Sequence, residues 1–184
     1  MINKGNDIPF VDRIISDDRM AGHLAANHLI GSGVQRPAVM AAPAVSYTAR
    51  RRSEAFLARC NQLGGEAQFL QLRVNDYKSG YDAAAELSAS GIDGLFCAND
   101  YMACGVVDRV MQGLGRDDPP PLSIIGHDDI PQASWAAYDL TTIRQPCDIQ
   151  AEQTVDLLIS RMAEPDLTAR VEFTPVTLVK RRTA

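Results

Sequence analysis

The side chains able to do chemistry gather in three short runs, Arg50-Arg51-Arg52, Asn99-Asp100 and Asp128-Asp129, with Asp12 and Tyr77 as isolated additions. Arginine forks and carboxylates hold hydroxylated or anionic ligands through charge-assisted hydrogen bonds. An asparagine offers both a donor and an acceptor, and a tyrosine ring can stack on a sugar or a base. Each group also has a plainer use. The arginines can form an exposed basic turn paired with Glu54, Asn99 or Asp100 can cap the helix that follows, and Tyr77 can pack on the surface. Asp128-Asp129, followed by Pro131, can be a solvated turn.

Nothing in the chain assembles a catalytic set. There is no Gly-x-Ser-x-Gly elbow, no His-Glu-x-x-His, no Gly-x-x-x-x-Gly-Lys phosphate loop and no Gly-x-Gly-x-x-Gly. His23 and His28 are five residues apart, on different faces of one helix, and the four cysteines lack the paired spacing of a zinc site. Polar groups without an activated nucleophile describe a binding site, so no enzyme activity, metal or cofactor is expected.

The elements that must position these groups alternate. Leu122 to Ile125 is an apolar run of strand length that stops at Gly126, and Pro131 forbids further ladder pairing. Upstream, strands are expected at Ile8 to Val11, Pro37 to Ala42, Ala67 to Leu72 and Gly94 to Cys97. Helices fall between them, from about Asp18 to the stop at Gly31-Ser-Gly33, Thr48 to Leu63, Ser79 to Ser90, and Tyr101 to about Gly113. Four strand–helix alternations at this spacing make βαβ units and a parallel sheet covered on both faces. Asp12, Arg50, Tyr77, Asn99 and Asp128 then all fall at strand ends, where open α/β sheets bind ligands. After Tyr138 the rhythm changes: an extended Leu140 to Arg144, a helix Cys147 to Met162, and strands Val171 to Phe173 and Val176 to Lys180 read as part of a second lobe.

Composition bounds the remaining classes. With 46% hydrophobic and 22% charged residues the chain is an ordinary globular one, and a net charge of -5 gives no basic field for a nucleic-acid backbone. There is no apolar leader and no run near the ~20 residues of a membrane helix, so a cytoplasmic location with cysteines as buried free thiols is expected.

Several segments together carry a resemblance. They are Ile8-Pro-Phe-Val-Asp12, Thr48-Ala-Arg-Arg-Arg-Ser-Glu-Ala-Phe56, Phe96-Cys-Ala-Asn-Asp-Tyr-Met-Ala-Cys-Gly105, Leu122 to Pro131 and Leu140-Thr-Thr-Ile-Arg-Gln-Pro146. In order and wording the chain resembles the effector-binding domain of LacI/GalR-family transcriptional regulators. The resemblance implies an α/β fold of the periplasmic-binding-protein-like type I, two Rossmann-like lobes with parallel sheets, the first lobe incomplete. It puts residues 1–16 and 140–175 in the partial N-terminal lobe, residues 17–139 and 176–184 in the C-terminal lobe, and the helix-turn-helix domain outside this chain. It implies a small-molecule effector, a sugar or sugar derivative, bound between the lobes by Asp12, Arg50, Asn99 and Asp128, with Tyr77 a weaker match. It also implies a homodimer packed through Met102 and Val106, and operator DNA reached only through the missing N-terminal domain. A solute-binding protein of a sugar uptake system shares this fold and is the alternative, and a small α/β enzyme is a third reading.

Overall fold

The computed structural model describes residues 1–3, 11–112 and 122–184. Most of the expected first strand, Ile8 to Val11, and the loop Gly113 to Pro121 lie outside them.

Six strands form the main sheet: β2 (Pro37–Ala41), β3 (Gln68–Gln71), β4 (Gly94–Cys97), β5 (Ser123–Asp128), β6 (Thr141–Arg144) and β8 (Thr177–Val179), in the order β3-β2-β4-β5-β6-β8. The first five are parallel, and only β8 runs antiparallel to its neighbour β6. In the central strands β2, β4 and β5 alternate residues point to opposite faces and both faces are buried, which is why these strands read as continuous hydrophobic runs. Val39, Phe96, Ile125 and Ile143 meet α1 (Asp18–Gly31) and α2 (Tyr47–Gln62). Met40, Leu95, Cys97 and Ile124 meet α5 (Asp100–Val110) and the helical stretch 77–90, in which α3 (Tyr77–Ala83) and α4 (Leu87–Ser90) are joined by a short 3₁₀ turn, Ala84–Glu86. Among the cysteines, Cys60, Cys97 and Cys104 are buried free thiols and Cys147 is exposed.

A second, two-stranded sheet pairs β1 (Arg13–Ser16) with β7 (Val171–Thr174), again in parallel, beside α6 (Cys147–Ala163). Here burial is shallow. On α6 only Gln150 and Leu157 are buried, while Leu158, Ile159 and Met162 are open to solvent, as is Phe173 on β7. The chain passes between the two sheets after Ser16, after Arg144 and after Thr174.

Two expectations are corrected. Residues 140–144 do not join the smaller unit: β6 is hydrogen-bonded between β5 and β8, so the crossing follows Arg144. Met102 and Val106 cannot meet a partner chain, since both are fully buried against the main sheet. The outward residues of that region are Tyr101, Tyr77 and Trp135.

Candidate functional site

The carboxyl ends of β4, β5 and β6 open beside the first turns of α1 and α2. Asp18, Arg52, Asp100 and His127 are buried there. Helix α2 is capped by Ser46, whose hydroxyl accepts from the Ala49 amide, and its first turn carries no acid. The three following arginines therefore need other compensation, and helical phase sends them apart. Arg50 is exposed, lying over the Tyr47 ring. Arg51 donates to the Tyr47 hydroxyl at 2.9 Å. Arg52 is buried; its Nε donates to Asp18 Oδ1 at 2.7 Å and its Nη1 to the Ala98 carbonyl at 2.8 Å. Burial pushes the Asp18 carboxyl up, opposed by Arg52, and Asp18 Oδ2 has no hydrogen-bonding partner among the described residues.

Asp128 ends β5 with φ of 120° and Asp129 follows with φ of 53°, both in the region that side chains other than glycine avoid. Such strain, about 1 to 3 kcal/mol per residue, persists where surrounding contacts over-determine the backbone. Asp129 supplies them, accepting from Arg144 at 2.6 Å and from Arg181 at 2.7 Å. Asp128 Oδ1 receives two donors, His127 Nδ1 at 2.8 Å and Gln145 Nε2 at 2.5 Å. That leaves Oδ2 of a part-exposed carboxylate without a partner among the described residues. Burial works against the Asp128 charge, but the bonds from His127 and Gln145 together with the nearby Arg52 outweigh it and hold the carboxyl below its ordinary value. His127 is fully buried, and burial with the Arg52 charge pushes its pKa down to about 4. At neutral pH it is an uncharged imidazole with its proton on Nδ1, and its buried Nε2 has no partner among the described residues.

The expected site residues divide. Asp128 stands in the crevice. Asn99 ends β4 close by, but its side chain is committed: Oδ1 caps α5 through the Met102 amide at 2.9 Å, and Nδ2 donates to the Asn75 carbonyl at 2.8 Å. Asp100, the other candidate for the cap, is instead buried, accepting from the Thr142 hydroxyl at 2.5 Å and the Ile130 amide at 2.9 Å; burial raises its pKa to about 6. Tyr77 is not at a strand end. It is the first residue of α3, donates to Asp108 at 2.7 Å and stacks with Tyr81. Asp12 precedes β1, and both its oxygens are taken up by Arg161 and Arg170, which hold the carboxyl far below the usual range. Arg50 points away from the crevice, and Arg52 occupies the inward place. Sequence reasoning passed over Arg52, Asp18 and Gln145. The phase of α2, counted from Ser46, carries the signal for the first.

Among the described residues, no group of three or more His, Cys, Asp or Glu side chains is arranged to hold a metal ion, and no helix is long and apolar enough to cross a membrane.

Residues 26–184 match the family model of the periplasmic binding protein-like domain. The ribose operon repressor of Escherichia coli K12 is 33% identical over 170 residues, covering 90% of this chain and 51% of the repressor. A LacI family transcriptional regulator from Enterococcus faecium, solved with bound ribose, superposes with a TM-score of 0.88 at 27% identity, covering 100% of this chain and 68% of that one. A dimeric Lac repressor superposes with a TM-score of 0.84 at 26% identity, covering 100% and 67%. The chain spans about half the length of the curated relatives it matches.

Proposed function

The chain belongs to the periplasmic-binding-protein-like domain family, in the form carried by LacI-family transcriptional regulators, and on that footing we propose that it is an effector-binding domain. The ligand class is a small polyhydroxylated molecule, a sugar or sugar derivative. It sits between the carboxyl ends of the main sheet and the smaller β1–β7 unit, which make up the two lobes. One observation carries this reading: Asp128 is fixed in a strained backbone, charged and held through one oxygen by His127 and Gln145, with the other oxygen free to accept a ligand hydroxyl. Arg52 and Asp18 form the charged floor beside it. Asp128, Arg52 and, through its backbone, Asn99 are the residues of the proposed site, and Arg50, Tyr77 and Asp12 serve packing and ion pairing.

Binding that favours one lobe arrangement over another shifts the population of the two, and in a whole regulator this changes affinity for DNA. DNA control belongs to the part of the relatives that this chain does not match. The relatives named above are regulators, which favours this reading over an uptake protein, and an intracellular site of action goes with it. Self-association is part of the proposal, through the exposed aromatic edge of Tyr101, Tyr77 and Trp135.

A thermal-shift titration with ribose, other pentoses, hexoses and nucleosides tests the reading. At least one is expected to raise the melting temperature of the native chain. Asp128→Ala is expected to weaken that ligand by about 1 to 3 kcal/mol, because its hydroxyl loses a charged acceptor. Unchanged affinity in Asp128→Ala, measured by calorimetry, would remove the site from this crevice.

A further inference from the structure

The three passages of the chain between the sheets are tied together by one buried side chain. Gln150 lies on the first turns of α6, 3% exposed, and its Nε2 donates to the Ser16 hydroxyl at 2.8 Å and to the Thr174 hydroxyl at 2.7 Å. Ser16 is the last residue of β1 and Thr174 the last of β7, so each stands at a crossing. The third crossing is Gln145-Pro146, and Ser16 Oγ donates to Gln145 Oε1 at 2.5 Å. Asn3 Nδ2 donates to the same oxygen at 3.0 Å. Gln145 Nε2 then reaches Asp128 Oδ1.

The order of donors is directional. A Gln150 amide has two protons, and both are spent on hydroxyl oxygens. The Ser16 hydroxyl, already accepting from Gln150, must turn its own proton to Gln145 Oε1. That fixes the flip state of the Gln145 carboxamide, with its amide toward Asp128 and its carbonyl away. The reverse flip would set a carbonyl oxygen against a carboxylate in a partly buried place, where unmatched polar groups are costly.

We propose that Gln150 is a positioning residue for the ligand site: acting through Ser16 it sets the orientation of Gln145, so that occupancy at Asp128 and the arrangement of the three crossings form one equilibrium. A ligand hydroxyl that donates to Asp128 Oδ2 draws on the carboxylate that Oδ1 offers to Gln145, and so disturbs Gln145 and with it the contacts that hold Ser16 and Thr174. A change of lobe arrangement that parts Ser16 from Thr174 releases Gln145 and changes the acceptor the ligand meets. The inference rests on the effector-site reading for its consequence, and the relay itself is a property of the unliganded chain.

The test is made on the whole chain by NMR without ligand, then with ribose as probe. In native protein, both Gln150 side-chain amide protons and the Gln145 pair are expected as separate, slowly exchanging signals. In Gln150→Met, which keeps length and removes both donors, the Gln145 side-chain pair is expected to collapse toward free-amide shifts. Exchange of the Asp17 amide, which bonds the Thr174 carbonyl at the crossing, is expected to rise about tenfold while the main-sheet amides keep their protection. Ser16→Ala, which cuts the middle link without touching α6, should release Gln145 in the same way, so the result does not hang on one variant folding. Unchanged Gln145 signals in either folded variant overturn the relay. With ribose, Gln150→Glu at pH 8 should bind more weakly than Gln150→Met, since an acceptor at 150 draws the Ser16 proton away and favours the wrong flip of Gln145. Equal affinity in the two variants would reduce Gln150 to packing. A native chain that takes up none of the pentoses, hexoses and nucleosides speaks against the effector reading, while the ligand-free signals still decide the relay.

Discussion

Arg50, Arg51 and Arg52 are the same residue type, yet each step along the helix turns the side chain by about 100°. That rotation sends Arg50 to solvent and Arg52 onto Asp18 and the Ala98 carbonyl. Arg52→Ala is therefore expected to cost about 3 to 5 kcal/mol of stability in urea denaturation, because it strands a buried carboxylate, while Arg50→Ala stays within about 0.5 kcal/mol. The place of Asp128 at the end of β5 was legible from the apolar run before it, whereas the inward turn of Arg52 required a helix start known to the residue, which apolar periodicity does not deliver. Asp12 misled for a related reason. Beside an apolar stretch it looks like a strand end, but its partners, Arg161 and Arg170, lie some 150 positions away and leave no local sign. Two buried titrating groups give the site a pH signature. His127 has its folded pKa near 4, below the ordinary 6.5, so its contribution is present above 6.5 and is lost as pH falls toward 4. Asp100, raised from 3.8 to about 6, works in the opposite sense: its contribution is complete below 3.8 and is lost as pH rises through 6. Each amounts to roughly 3 kcal/mol, from shifts of a little over two units. Between pH 4 and 6 they oppose one another, so His127→Phe should unmask a stability that rises on acidification in this window, read as urea midpoints across pH. A midpoint that still falls as pH is lowered there would show that other groups govern the slope.

Among the elements, α3 and α5 approach closely enough that glycine is the only residue their crossing admits. A Cβ on Gly105 would stand 2.1 Å from the Tyr77 carbonyl oxygen, and one on Gly80 would stand 2.2 Å from that of Met102. Gly105→Ala is expected to push the helices apart and cost about 1 to 3 kcal/mol or more, seen as a lowered denaturation midpoint. Gly31→Ala, with open space around its Cβ, is the matched control. The pairing of Gly80 with Gly105 was invisible beforehand, since it joins two helices that only the sheet brings together. The alternation of strands and helices between Asp18 and Ile125 was visible, because the central strands β2, β4 and β5, buried on both faces, carry few polar residues until they leave the sheet. What the pattern misplaced was β6. Thr141-Thr-Ile143 reads as an extended crossing, and its hydroxyls gave no hint that they are satisfied inside the main sheet, Thr142 by Asp100 and Thr141 by the Arg181 and Ala184 carbonyls.

As a whole molecule the protein is uneven. The main sheet is covered on both faces, but the smaller unit exposes Leu158, Ile159 and Met162 on α6 and Phe173 on β7, apolar side chains of the kind that mark a contact surface. The chain is therefore expected to bind a hydrophobic dye at that face, and Ile159→Lys with Met162→Glu to reduce the signal without moving the melting temperature by more than a few degrees. The aromatic edge makes a separate prediction. If Tyr101, Tyr77 and Trp135 join two copies, Tyr101→Glu should shift the sedimentation mass toward a single chain, whereas the α6 substitutions leave it unchanged. Composition foretold neither surface, because exposure is decided by which elements pair, and among the described residues the two sheets share three passages of chain.

Strand β8 and the residues after it follow in sequence every strand they pair with. Thr183 accepts from the Thr141 amide, donates to the Ile124 carbonyl and offers its own carbonyl to the Ile124 amide, so these residues stitch together β5 and β6, the strands that lead to Asp128 and Gln145 of the proposed site. During synthesis a chain that has reached residue 176 holds every residue of the proposed site and lacks the stitch. The proposed site thus depends on β8 and the residues after it: a chain cut after residue 176 should show the protease sensitivity of an open sheet, and one carried through Ala184 should not.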